Sequence, residues 1–481
     1  MTAPVPLSDR GAAREHAAGS AYLWRAAATG ALGGLLFGYD WVVIGGAKPF
    51  YEPYFHLDSP SLEAWAMSCA LIGCLLGALS AGRLSDRFGR KRLLSLAAAV
   101  FVLSSLGTGM AARFAWFVAW RILGGCAIGL ASGISPMYIA EISPARLRGR
   151  LVSLNQLAIV LGILLAQLAN WLIARPVPPD ATAAAILASW NGQWGWRWMF
   201  GVTAIPSFLF LAATFAVPES PRWLAAHRQG AQALRILQRL GGLEYADRVM
   251  RDFNVASGTE PARPLLREIF GRDAAPGMAR MLVLGVALAV LQQWCGINVI
   301  FNYAQEIFTA AGYRISGVLF NIVITGAVNV LFTVVALAIV DRFGRRILLL
   351  GGTLGLMAIY LALGALYHLH FRGAPMLVLV LAAIACYAMS LAPVTWVVIA
   401  EIFPNRIRAG AMSIAVTALW SACFVLTYTF PLLNAALQTS GTFWIYAGIC
   451  LAGSIFLYLR LPETRGKTLE EIETGMRAGE L

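Results

Sequence analysis

Apolar stretches of about 20 residues follow one another along most of the chain, separated by short polar turns. That length is what a helix needs to cross about 30 Å of hydrocarbon. Twelve spans are predicted, near 22–44, 63–81, 93–112, 114–138, 151–174, 198–217, 280–309, 317–340, 347–367, 376–400, 411–435 and 442–461. One long interval breaks the rhythm. Within 218–279 the stretch SPRWLAAHRQGAQALRILQRLGG spaces its apolar residues three to four apart, which predicts short amphipathic helices. The pattern therefore divides the chain into a tail (1–20), a six-span block (21–217), a polar helical linker (218–279), a second six-span block (280–461) and a final tail (462–481). The expected class is an all-α integral membrane protein.

Composition supports lipid as the solvent. Of 481 residues, 59% are hydrophobic and only 13% charged, too few charges to cover a water-soluble surface of this size. The net charge of +13 invites a nucleic-acid reading, but its distribution excludes one. Basic clusters at Arg83 to Arg92, Arg146 to Arg150, 222–280, Arg342 to Arg346 and Arg406 to Arg408 each follow an even-numbered span, while loops such as 51–62 and 176–195 hold few Lys or Arg. This positive-inside asymmetry places both termini in the cytoplasm of a multi-pass protein of the cell (inner) membrane. The N-terminal segment lacks the short apolar core of a cleavable signal. All seven cysteines lie in apolar spans without metal spacing and read as small core residues. No phosphate-cradling Gly-rich loop and no nucleophile–base or metal constellation is present, so neither an ATPase, another enzyme nor a cofactor is expected.

Internal repetition sharpens the picture. DRFGRK (86–91) recurs as DRFGRR (341–346), IAEISPARLR (139–148) as IAEIFPNRIR (399–408), and PESPR (218–222) more loosely as PETR (462–465). Offsets of this size indicate a duplicated six-span unit rather than a solenoid. Two parallel six-helix halves holding a substrate between them at mid-membrane are a known transporter architecture.

Seven motifs in order carry a resemblance: GRLSDRFGRK (82–91), PMYIAE (136–141), RLRG (146–149), PESPRWL (218–224), QQWCGIN (292–298), DRFGRR (341–346) and PETRG (462–466). Across 22–475 the chain resembles the sugar porter family of the major facilitator superfamily, closest to bacterial xylose and hexose–proton symporters. The resemblance implies two pseudo-symmetric six-helix bundles and a secondary active transporter that imports a monosaccharide with a proton by alternating access. A facilitative uniporter and a non-transporting sugar sensor are the alternatives. The implied partners are a monosaccharide, a proton and the lipid bilayer, with no nucleic acid and a functional monomer.

A sugar presents hydroxyls that both donate and accept, and amides answer them without adding charge. The seventh span offers Gln292, Gln293 and Asn298, which share a face only if the helix bends, and Gly296 permits a bend. The resemblance assigns these three to sugar hydrogen bonding, together with Gln156 in the fifth span and Asn329 in the eighth. It also makes Trp396 and Trp420 aromatic walls and Phe37 and Ile159 lining positions. Intramembrane amides equally serve as glue between helices. Asn302 is included at the substrate site although the family usually has Tyr there, while Leu419 and Ile163 replace amides found in relatives. Such changes alter which sugar is accepted.

Asp40 in LLFGYDWVVI and Arg121 in AWRILGG are charges set deep inside spans. An unpaired intramembrane charge costs several kcal/mol. Counted at 1.5 Å per residue from opposite faces, the two reach similar depth and can pair. A carboxylate beside a guanidinium is favoured ionised, and one left unpaired in an apolar setting is favoured protonated. Alternation between these states would link a proton to the access change, whereas a permanent pair would be structural. The resemblance implies the coupling role, with Thr203 where the xylose symporter carries a second acid. At the cytoplasmic helix ends, Asp86, Arg87, Arg90, Glu141 and Arg148 are mirrored by Asp341, Arg342, Arg345, Glu401 and Arg408. They resemble a salt-bridge latch that holds the inner face closed.

Overall fold

A computed structural model describes residues 7–144, 146–178, 181–257, 278–403 and 408–462, without side chains at 7–20, 254–257, 316, 341, 342, 400, 408 and 409. The described residues are almost entirely helical. The first five spans are α1 (Leu7–Phe55), α2 (Pro60–Phe88), α3 (Arg90–Met110), α4 (Phe114–Ile142) and α5 (Arg148–Ile173). A short helix α6 (Ala183–Ala188) precedes the sixth span, which opens on a π-helical turn (Asn191–Gly195) and continues as α7 (Trp196–Gly201) and α8 (Ala204–Phe215). The sixth crossing thus starts earlier than the expected residue 198, because the sequence GQWGW supplies apolar rings that continue the helix outward.

The linker forms α9 (Pro221–Ala226), α10 (Gly230–Gly241) and α11 (Leu243–Ser257). Trp223, Leu224 and Ala233 make its own small core, and α10 packs against α1. The second half runs α12 (Met278–Trp294), α13 (Ile297–Asn302), α14 (Ala304–Ala310), α15 (Ile315–Phe343), α16 (Arg345–His368), α17 (Ala374–Met389), α18 (Leu391–Ile402) and α19 (Arg408–Arg460). Among the described residues, 11 runs are long and apolar enough to cross a membrane, the last of them 51 residues long. At 1.5 Å per residue that run exceeds twice the hydrocarbon thickness. Gln438 breaks it with φ 59° and ψ 174°, so it makes two crossings and the total is twelve.

Close helix contact comes from small residues. Gly73 faces the backbone of α4 at Ile122, and Gly125 faces α2 at Ala70, so an added Cβ on either would strike main chain. In lipid, where apolar burial between helices gains little, such small-residue contact is what holds spans together. The halves meet where α2 packs on α19, α5 on α15, and α1 on α13 and α14. Arg121, with Asp40 paired to it, and Asn302 of the seventh span are brought near that interface.

Candidate functional site

Asp40 and Arg121 do pair. One guanidinium nitrogen of Arg121, Nη1, donates to Asp40 Oδ1 at 2.8 Å and to Oδ2 at 2.9 Å, while Nη2 reaches the Asp40 backbone carbonyl at 3.4 Å. Both side chains are buried, 6% and 4% exposed. The Phe200 ring lies 5.4 Å from the guanidinium and covers its other side. Charge-assisted bonds of this length are strong, and separation of two buried charges leaves each uncompensated. Arg121 Nε has no hydrogen-bond partner.

Arg121 also lines a cavity of about 10 Å³, with Trp41, Ile44, Cys74 and Asn302 among its walls. That space holds about one water and no sugar. Aromatic rings explain the contraction. Trp420 of the second half meets Phe37 at 5.6 Å and Trp41 at 5.9 Å between ring centroids, bringing α1 of the first half onto α19 of the second. Asn302 is buried in the wall with its Oδ1 unpartnered.

The seventh span breaks where its sequence allows. Helix α12 ends at Trp294, Gly296 adopts φ 86°, and α13 resumes at Ile297. Left-handed backbone is open to glycine and costly for other residues. The break lets Asn298 turn back so that its side-chain nitrogen Nδ2 donates to the side-chain oxygen Oε1 of Gln293. Gln292 does something else. Its Nε2 donates at 3.1 Å to the backbone carbonyls of both Leu391 and Ala392, beside a second break at Ser390 in the tenth span. That is a helix–helix tie, with Gln292 Oε1 left unpartnered. Asn329 is buried, whereas Gln156, Ile159 and Trp396 are half-buried.

At the helix ends expected to face the cytoplasm, the charges separate into distinct contacts. Arg90 pairs with Glu141 at 2.9 Å and with Asp86 at 3.2 Å, all within the first half. Arg345 and Glu401 form the equivalent pair in the second half, at 3.1 Å. Arg87 lies over the Phe88 ring, and Arg148 is exposed at the start of α5, so the structure does not bring these two to the Arg90 cluster. The side chains of Asp341, Arg342 and Arg408 lie outside the described residues. The linker contributes what motif reading left out: Glu219 accepts from the backbone N–H of Arg90 at 2.8 Å and of Lys91 at 3.0 Å, and the Ser220 hydroxyl donates to Glu141. A carboxylate at this position answers the positive end of α3. The PESPR motif offers the signal, since an acid next to the membrane in a basic segment needs a partner.

The end of α1 expected to face outward adds a residue that reading by motif missed altogether, the buried Lys48. A lysine on the side expected to be poor in basic residues is the available clue.

Comparison with known proteins agrees with the architecture. The family model described as "Sugar (and other) transporter" matches residues 26–476. The D-xylose-proton symporter of Escherichia coli (strain K12) is 37% identical over 487 residues, covering 94% of this chain and 96% of that protein. The arabinose-proton symporter of Bacillus subtilis (strain 168) is 36% identical, with 96% of each chain covered. The inward open conformation of the xylose transporter XylE from E. coli superimposes with a TM-score of 0.80 at 36% identity, covering 94% of this chain and 99% of that one.

Proposed function

Because the chain belongs to the sugar (and other) transporter family, we propose that it imports a monosaccharide together with a proton by alternating access. It is a transporter and not an enzyme. The observation that carries the reading is the buried Asp40–Arg121 pair beside the contracted cavity. Arg stays charged at all accessible pH, so the acid is the member that exchanges a proton. Asp40 binds its proton when the pair is opened to the outside, and Arg121 recaptures the carboxylate once the proton has left toward the cytoplasm. The pair is then the resting contact of the inward-facing state.

Sugar hydroxyls are read by Gln156, Gln293, Asn298 and Asn329, with Gln292 fixing the tenth span against the seventh. Trp396 and Trp420 supply ring faces to sugar C–H groups, and Phe37, Ile159 and Asn302 complete the lining. Unpaired amide oxygens such as those of Gln292 and Asn302 discriminate hydroxyl patterns more sharply than apolar fit does. The inner latch is the pair of charge clusters around Arg90–Glu141 and Arg345–Glu401, with Asp86, Asp341 and Arg408 at its edges. The protein works as a monomer in the cell (inner) membrane with both termini in the cytoplasm.

Facilitative uniport is the second reading, favoured by the completeness of the Asp40–Arg121 contact, which a static ion pair would also show. Uptake of labelled glucose, xylose and galactose into proteoliposomes, with and without a pH gradient, separates the two. Proton coupling predicts accumulation above the external level only when a gradient is imposed. Uptake that stops at equal concentrations in both conditions leaves uniport.

A further inference from the structure

Lys48 is 2% exposed, near the outer end of α1 and eight residues beyond Asp40, or about 12 Å further along the helix. Its ammonium contacts Glu306 in α14, lies 3.2 Å from Glu52 on its own helix and 3.5 Å from Glu63 in α2. The Tyr303 ring is 5.2 Å from the same nitrogen. Two of these partners, Glu306 and Tyr303, belong to the second half of the molecule, and two, Glu52 and Glu63, to the first. The bridge therefore crosses between the halves at the outer mouth. The cytoplasmic pairs Arg90–Glu141 and Arg345–Glu401 each stay within one half.

We propose that the Lys48–Glu306 ion pair, backed by Tyr303, is the outer latch of the transport cycle: it holds the mouth shut while the inner side is accessible and breaks to admit substrate. The inference rests on the transport reading above. The arrangement suits a contact that must open repeatedly. When Glu306 moves away, Lys48 keeps Glu52 and Glu63 and is never a bare buried charge. Glu306, 24% exposed while paired, moves into a water-filled vestibule that solvates it. The latch is also tied to the site. Asn302 in the cavity wall, Tyr303 under the ammonium and Glu306 at the pair follow one another in the broken outer part of the seventh span. Tyr303 is in turn held by its hydroxyl, which donates to the Thr427 carbonyl at 2.7 Å. A shift of this segment on sugar binding is transmitted directly to the latch.

The test uses Lys48→Met, Glu306→Gln and the conservative Lys48→Arg in a full-length background freed of its native cysteines. Spin labels at Asp58→Cys and Arg314→Cys, both exposed at the outer face, report mouth opening by their separation in lipid nanodiscs. An Ile44→Cys in the cavity wall reports access to a membrane-impermeant thiol reagent applied outside. The Met and Gln variants are expected to lengthen the label distances and to react about tenfold faster, the response to a loss of about 1.4 kcal/mol of closing free energy. Lys48→Arg keeps both readouts near the parent. Distances and reaction rates in both neutralised variants that match the parent overturn the latch. Neither readout needs a sugar, so a failure of the transport reading would leave this result standing on its own.

Discussion

Replacing Asp40 by Asn removes one negative charge from a carboxylate that Arg121 grips through both oxygens, at 2.8 and 2.9 Å. The amide keeps the shape and one acceptor, so the helix contact survives, but it cannot take up a proton. Arg121 is left 4% exposed with a neutral partner. Removal of a buried pair's counter-charge costs about 3–5 kcal/mol where no acceptor remains, and less here because an amide oxygen still accepts. The functional consequence is larger and independent of that cost. Each 100 mV of membrane potential supplies about 2.3 kcal/mol per proton carried. With tenfold per 1.4 kcal/mol, a one-proton symporter accumulates sugar about 50-fold at that potential. The Asp40→Asn variant is expected to reach a ratio of 1 in proteoliposomes under the same potential, while exchange of labelled for unlabelled sugar between preloaded vesicles continues. A variant that still accumulates sugar many-fold would remove Asp40 from the coupling step and leave the pair a structural one.

Other substitutions test other links. Gly296→Ala forces a Cβ onto left-handed backbone, costing about 1–2 kcal/mol, and toward the Tyr446 ring at 2.7 Å; both Tm and sugar affinity should fall together, and an unchanged affinity would detach the bend from the site. Gln292→Ala strips donors from two buried carbonyls and should lower unfolding free energy by about 1–3 kcal/mol. Gln293→Ala should instead raise the KM for sugar with little change in Tm, and the opposite pattern in the pair would reverse the assigned roles. Glu219→Gln weakens the charge at the start of α3, worth about 0.3–1 kcal/mol; a slightly lower Tm with an unaltered sugar KM is expected, and a changed KM would move this acid into the transport site.

The crossings are readable from sequence because hydrocarbon thickness imposes a length that no local detail can override. Glycine and proline positions foretell the bend at Gly296, since few other residues tolerate its φ of 86°. The meeting of Asp40 and Arg121 follows from depth alone, as two buried charges at one level have few alternatives. Contacts that depend on how helices rotate are not readable in this way. Gln292 turns to Leu391 and Ala392 because Ser390 interrupts the tenth span, and nothing in the seventh span announces that. Lys48 finds Glu306 some 250 positions away in sequence only because the halves close at the outer mouth. Likewise Arg87 and Arg148 carry the same charge as Arg90, yet helix phase turns them elsewhere.

Sealed liposomes that trap a pH-sensitive dye test the central claim most directly. With no gradient imposed, addition of a transported sugar outside should acidify the interior as protons enter with it, and the Asp40→Asn variant should take up sugar without that signal. Sugar entry into the wild-type vesicles at constant internal pH would contradict proton co-movement and leave a carrier that only equilibrates its substrate.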